Sequence, residues 1–244
     1  MKGKPRSLTT SLIAINATLY AVIGYLTYLG VFAPVIGTVR FWPSVFVPAV
    51  FSIAFTPLIG GLGAAIGIFI SDMMVHGNPL LSLSVGVPAN FLGFYVVGLT
   101  YRYIKNTRRA LVLVLGEIAV VSLILYLAYT ISLVDGGFAL AALIAIVSTM
   151  GLTLAFMLFY RGEASRIVFA GSTGLIVGSI IIGIGVWLYS QFFTLPSGDK
   201  SLPVWAAIVW FLWTYLTEVP FIALLAPPTV HLLKKVGLTW GEKE

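Results

Sequence analysis

The sequence predicts an all-α, polytopic membrane helix bundle with about eight transmembrane helices. Of its 244 residues, 59% are hydrophobic and only 9% are charged, and the mean hydropathy is +1.05. A water-soluble domain of this size needs a more polar surface than this composition supplies. The apolar residues also form separate runs, most of them near the roughly 20 residues that a helix needs to cross a bilayer. We therefore expect a single integral membrane domain over residues 1–244.

The positions of the basic residues predict how the helices are oriented. With eight spans and a cytoplasmic N-terminus, all but Arg40 and Lys200 of the fourteen Lys and Arg residues fall on the cytoplasmic side. This distribution is the one that the positive-inside rule favours. Topology therefore accounts for the net charge of +6, and we expect no nucleic-acid partner. The prediction is a multi-pass protein of the cell membrane with both termini in the cytoplasm.

The first three spans follow from run length and turn residues. The run 8–29 is too long for the hydrophobic region of a signal peptide, so it is predicted to be a spanning helix. The run 41–75 contains no Lys, Arg or Glu and is too long for one crossing. Because Thr56-Pro57 and Gly60-Gly61 favour a turn, we expect two short spans, 41–55 and 58–75.

The remaining spans follow from breakers and short connections. Pro88 and Asn90 interrupt the fourth span and need polar partners inside the protein. The segment 134–137 is short enough to permit only a tight hairpin between spans five and six. These spans are predicted at 80–103, 110–133, 138–160 and 167–193, and the last runs from 204 to Pro227-Pro228 or to Lys234-Lys235.

Small residues line one face of the first helix and one face of the third. Steps of three and four residues put them on the same side of each helix, where the backbone of another helix can approach closely. In the first helix this face carries Ala14, Ala17, Ala21 and Gly24, and in the third it carries Gly60, Gly63, Gly67 and Ser71.

Charged and aromatic side chains gather at the predicted outer ends of the spans. An arginine beside aromatic rings, as at Arg40 and Trp42, is suited to gripping a planar or anionic ligand. The alternative for the rings is the interfacial aromatic belt, and the alternative for Asp72 is a water-exposed helix end. The candidate ligand-binding residues are Arg40, Trp42, Asp72, His76, Asn78, Tyr189 and Glu218.

Two carboxylates lie deeper in the spans. An unpaired charge at that depth is costly, so each must be protonated, paired or hydrated. We expect Glu117 to extend toward Arg108, Arg109 or water near the inner face. For Glu218 two readings stay open: a neutral acid bonded to a carbonyl freed by Pro220, or a role in substrate or ion binding.

The residue inventory argues against an enzyme. No G-x-x-x-x-G-K-[ST] motif is present, and no loop exceeds about a dozen residues, so we do not expect the chain to bind and hydrolyse ATP alone. There is no cysteine, and the two histidines, His76 and His231, lie at opposite predicted membrane faces. No nucleophile motif of the G-x-S-x-G type occurs. We expect neither a catalytic residue, a cofactor nor a metal site.

Residues 8–105 resemble the substrate-binding S components of energy-coupling factor transporters. The resemblance rests on Ala17-x-x-x-Ala21 and on the stretch RFWPSVFVPAVFSIAFTPLIGGLGAAIGIFISDMM, in which Phe55, Pro57 and Gly60 form the turn and Asp72 ends the next span. It continues through LLSLSVGVPANFLGFYVVGLTYRYIK. Since S components usually have six spans, the resemblance implies that 108–163 is an inserted hairpin and that 166–236 forms the last two helices.

The resemblance also implies a function. It predicts the substrate-binding membrane subunit of an importer, which captures a vitamin or related micronutrient at the outer face and tilts in the membrane. Ala14, Ala17 and Ala21 are then the docking face for a transmembrane coupling protein driven by two cytoplasmic ATPases. Thiamine, riboflavin, biotin and queuosine-like precursors all remain open as substrates.

Two alternatives of other classes stay open as well. One is a self-contained secondary transporter driven by protons or sodium, with Glu218 and Asp72 as coupling groups. The other is a non-transporting membrane scaffold or an enzyme subunit. An inverted repeat between the two halves would favour the secondary transporter, and none is evident beyond the glycine content.

Overall fold

The computed structural model describes residues 5–29, 35–36, 39–40, 42–160 and 162–240. Within them the chain forms eight helices and one short β-hairpin, whose strands β1 (Val35–Ile36) and β2 (Val39–Arg40) pair antiparallel. The helices are α1 (Arg6–Leu29), α2 (Pro43–Ala54), α3 (Pro57–Val75), α4 (Pro79–Tyr103), α5 (Thr107–Thr130), α6 (Gly136–Phe159), α7 (Glu163–Phe192) and α8 (Trp205–Lys235).

The predicted all-α membrane bundle is confirmed. In the described part of the chain seven helices are long and apolar enough to cross a membrane, so the protein is a multi-pass membrane protein. The predicted second span is wrong as a full crossing. Helix α2 consists of a 3-10 turn of three residues and nine α-helical residues, which extend only about 20 Å. The hydrocarbon core is about 30 Å thick.

Four of the described helices pack around the short helix α2. Helix α3 lies between α1 and α4, and α7 lies between α4 and α8. Helix α2 contacts α1, α3, α4 and α8 from the inside. The hairpin of α5 and α6 packs against α7 and α8, and most of its surface is left for lipid.

The close helix approach predicted for the glycine face of α3 is confirmed, and its partner is α1. A Cβ atom added at Gly67 would lie 2.8 Å from the Ala17 carbonyl oxygen, and one at Gly63 would lie 2.1 Å from Asn16 Nδ2. Asn16 Nδ2 donates to the Ile59 carbonyl at 3.0 Å, so a hydrogen bond also joins the two helices. Helix backbones come this close only where side chains are absent or small.

This packing corrects the docking face predicted on α1. Ala17 and Ala21 are each 3% exposed, because they fill the seam between α1 and α3. They offer no surface to a partner protein. Ala14 is exposed and is the one member of the predicted set that faces outward.

The ends of the helices that carry Lys and Arg meet at one end of the bundle. Arg102 donates to the Phe55 carbonyl at 2.7 Å, where α2 ends. Lys234 pairs with Glu163, joining the end of α8 to the start of α7. Helix α8 continues through its three prolines and ends at Lys235. This is the second of the two predicted ends.

Candidate functional site

A cavity lies at the opposite end of the bundle from the Lys and Arg cluster. About 830 Å³ of atom-free space lies within it, part of which is open to the outside. Residues of α3, α4, α7 and α8 line it, and Tyr20 of α1 and Trp42 close one side. In the described chain no residue of the α5–α6 hairpin lines this cavity.

The shortness of α2 explains why there is a cavity. Helix α3 has 19 residues and extends about 28 Å, about 8 Å more than α2. Trp42, just before α2, packs against Gly24 of α1, five positions before that helix ends at Leu29. Helix α2 therefore begins inside the bundle and leaves the space above it to the cavity.

An aromatic wall bounds the cavity on the side of α1. The Tyr20 ring meets the Trp42 ring edge-on, with centroids 6.3 Å apart, and the Phe94 ring at 5.9 Å. The Tyr20 hydroxyl donates to Asn90 Oδ1 at 2.6 Å, and Asn90 Nδ2 donates to the Gly86 carbonyl at 2.9 Å. The predicted need for a polar partner at Asn90 is thereby met. These bonds hold the wall in place before any ligand arrives.

A hydrogen-bonded chain fixes the carboxylate at the outer part of the cavity. Asp72 Oδ2 accepts from Ser82 Oγ at 2.6 Å, and Asp72 Oδ1 lies 3.4 Å from His76 Nε2. The backbone N–H of Asn78 donates to His76 Nδ1 at 3.1 Å, so Nε2 carries the proton of a neutral His76 and faces the carboxylate. Ser82 opens the π-helical turn Ser82–Gly86 of α4, an irregularity that is frequent at functional sites.

At the inner end of the cavity, three polar side chains are buried without a partner among the described residues. Ser179 Oγ and Thr214 Oγ1 make no hydrogen bond, although these residues are only 1% and 2% exposed. Glu218 is 7% exposed and makes neither a hydrogen bond nor an ion pair within the described chain. Thr214 and Glu218 lie one turn apart on α8, and Ser179 faces them from α7. In native proteins, buried polar groups of this kind are rarely left without a hydrogen-bond partner.

The structure separates the predicted ligand-binding residues into three groups. Trp42, Asp72, His76 and Glu218 line the cavity. Asn78 and Tyr189 do not line it. Asn78 Oδ1 caps α4 by accepting from Leu81 N, and Asn78 Nδ2 donates to the Tyr189 hydroxyl at 3.1 Å.

Asn78 and Tyr189 therefore position the site. The side chain of Arg40 lies outside the described residues, so its predicted ligand contact stays a prediction. Among the residues that line the cavity, four with polar side chains are not among the predicted site residues: Tyr20, Asn90, Ser179 and Thr214.

The expectations for the two deep carboxylates are settled differently. Glu117 does not extend toward Arg108 or Arg109. Its Oε1 accepts from Thr173 Oγ1 at 2.6 Å, which ties α5 to α7 away from the cavity. Glu218 accepts nothing and donates to no carbonyl freed by Pro220 in the described chain, and it lines the cavity instead.

The described residues contain no group of three or more His, Cys, Asp or Glu side chains that is arranged to hold a metal ion. The cavity thus offers aromatic surface, hydroxyls and carboxylates to a small molecule.

Comparison of the chain with protein families, with curated proteins and with solved structures finds no match.

Proposed function

We propose that this protein is the substrate-binding membrane subunit of an importer of the energy-coupling factor type, which captures a vitamin-like small molecule at the outer face. The observation that carries the proposal is the cavity, which opens at one end of the bundle and ends on buried polar groups without partners. A pre-formed, mostly apolar pocket with a few convergent polar groups is the usual form of a small-molecule site.

The interior beyond the cavity supports a subunit that needs a partner. From Glu218 toward the basic end of α8, the bundle is filled by one apolar cluster that includes Ile53, Val97, Ile222 and Val230. A solute in the cavity has no path through these side chains. Release on the other side requires a conformational change, which in this proposal is a tilt of the whole subunit, and the sequence has no ATP-binding motif to drive that movement.

The partners in this proposal are a transmembrane coupling protein and two cytoplasmic ATPases. The seam of Ala17 and Ala21 is occupied by α3, so docking has to use another surface of the bundle. Besides Ala14, helix α1 exposes Leu19, Val22 and Leu26. This exposed surface is the candidate docking surface that remains on the first helix.

One observation favours a second function. Asp72 and Glu218, the two groups that a proton- or sodium-driven transporter would use for coupling, line the same cavity. In that case substrate binding to the purified protein should depend on sodium or on pH, with no partner subunits present. An importer subunit that depends on ATPases should bind its substrate equally with and without sodium.

Identifying the bound molecule tests the proposal. The protein purified from its own cells in mild detergent is expected to release a vitamin-like compound on denaturation, which mass spectrometry identifies. Trp42→Ala should weaken binding of that compound at least tenfold in calorimetric titration, because the aromatic wall loses its stacking surface.

Trp205→Ala is the matched control. Trp205 is 44% exposed at the start of α8, so its removal should leave the affinity unchanged. If the Trp42→Ala and Trp205→Ala variants bound the compound with equal affinity, the cavity would not be its binding site. Uptake in cells should also require the coupling protein and its ATPases.

A further inference from the structure

From the inner end of the cavity we infer that the ligand is a planar solute with a positively charged, hydrogen-donating group that reaches Glu218. The inference rests on the proposed function and adds the chemical class of the substrate. It depends on three features of the described cavity: its charge, its unpaired polar atoms and the shape of its walls.

The described lining of the cavity carries two carboxylates and no lysine or arginine. Asp72 is engaged by Ser82 and His76. Glu218 sits midway along α8, where an ionised carboxylate without a partner is costly. A ligand cation removes that cost by pairing with Glu218, whereas a ligand anion adds a second negative charge beside it.

The unpaired atoms at the inner end match a group with several N–H donors. A carboxylate accepts hydrogen bonds through both of its oxygens, and the Ser179 and Thr214 hydroxyls each accept as well as donate. A protonated amidine presents several N–H donors in one plane. Such a group can satisfy Glu218 and a neighbouring hydroxyl together, and charge-assisted bonds of this kind are the strong ones.

The walls of the cavity suit a flat ring. Trp42, Tyr20 and Phe94 form the aromatic wall, and a ring with a positive group gains both stacking and cation–π attraction there. The seam between α4 and α7 is lined by residues without side chains, Gly93 and Gly174 among them. These glycines let α4 and α7 pack closely beside the rings, and a narrow space of this kind favours a planar solute over a branched one.

Three isosteric probes test the inference because they share a ring and differ only in charge. They are benzamidine, which is positive, benzamide, which is neutral, and benzoate, which is negative. The purified protein is first washed free of its co-purifying compound. Each probe is then titrated into it, and ligand-observed NMR measures the binding. We expect benzamidine to bind at least tenfold more tightly than benzamide, and benzoate to bind more weakly than either.

Glu218→Gln should bring benzamidine to the affinity of benzamide. Glu117→Gln is the matched control, because it makes the same change in a half-buried carboxylate that does not line the cavity, and it should keep the tenfold preference. Thr214→Val, which keeps the volume, should weaken benzamidine several-fold. This variant gives an answer even if Glu218→Gln fails to fold.

Preferential binding of benzamide or benzoate to the wild-type protein would overturn the inferred charge of the ligand. The same holds if none of the three binds, or if Glu218→Gln keeps the preference for benzamidine. The proposed function is judged separately, by the co-purifying compound and its dependence on Trp42. If the cavity bound a neutral or negative compound and this binding depended on Trp42, the proposed function would stand. The inference of a positively charged ligand would then be wrong.

Discussion

At Gly24 the absence of a side chain lets the Trp42 ring lie flat on helix α1. A Cβ atom added at Gly24 would lie 2.1 Å from Cζ2 of that ring, which is far inside van der Waals contact. Any larger residue at this position has to push the ring toward the cavity or away from it. Gly24 therefore sets the position of the aromatic wall without contacting the ligand itself.

Gly24→Ala is expected to weaken binding of the co-purifying compound about tenfold. Overpacking of this kind typically costs about 1–3 kcal/mol. Because it displaces the Trp42 ring, which lines the cavity, part of this cost should appear as weaker binding. Calorimetric titration measures the affinity. Gly116→Ala on α5 is the control, since nothing lies within 4 Å of a Cβ atom there, and a similar loss in both variants would contradict a specific role for Gly24.

Trp42, Asp72, His76 and Glu218 were predictable because charged and aromatic residues stand out in an apolar sequence. Ser179 and Thr214 were not predictable. Hydroxyls are common in membrane helices, where they usually bond to a carbonyl of their own helix. Only the packing of α7 against α8 decides which of them face a cavity and remain unpaired.

Among the helices, the seam between α1 and α3 depends on two glycines that have no room for a side chain. Gly67→Val should lower the free energy of unfolding in detergent by several kcal/mol, because the new side chain meets the backbone of Ala17 and overpacking against backbone cannot relax easily. Thermal unfolding of the purified variants measures the effect.

Gly151→Val on α6 is the control for this change, because a Cβ atom at Gly151 meets nothing within 4 Å. Ala14→Trp should also fold normally, since Ala14 is exposed, and it tests whether the outward face of α1 is needed for uptake. Wild-type stability in Gly67→Val would mean that α1 and α3 are held together by other contacts.

Both small-residue faces were predictable from spacing alone, but their mutual pairing was not. A face without side chains predicts a close neighbour, and it contains nothing that identifies the neighbour. The resemblance to S components predicts an external partner for the face on α1, whereas in the structure this face packs against the glycine face of α3. Asn16 was the available signal, because a buried amide in a span needs acceptors on another helix.

For the molecule as a whole, the charge placement predicts an orientation in the membrane, and labelling tests it. The chain contains no cysteine, so single cysteines report their own side. In intact cells an impermeant maleimide should label Gly136→Cys and Ser197→Cys, and it should reach Lys105→Cys only after permeabilisation, because basic loops are retained in the cytoplasm.

All three positions are exposed, so access depends on the side of the membrane and not on burial. Labelling of Lys105→Cys in intact cells, with Gly136→Cys protected, would reverse the orientation. It would also move the mouth of the cavity to the cytoplasmic side.

The number of helices was predictable, and the depth of each was not. Hydropathy reports how apolar a segment is, and residues 41–55 are as apolar as a full span. Their helix is nevertheless short, since it begins inside the bundle, next to the contact of Trp42 with Gly24 of α1. The cavity arises from this difference in length, so its existence could not be derived from the sequence pattern.

The apolar filling between Glu218 and the basic end of the bundle has a consequence for the cell that carries the protein. Water and ions entering the cavity stop at Ile222 and its neighbours, which are fully buried, and apolar surroundings make ion passage prohibitively costly. We therefore expect an empty copy to conduct no ions. A membrane that contains many empty copies should then keep its proton or sodium gradient.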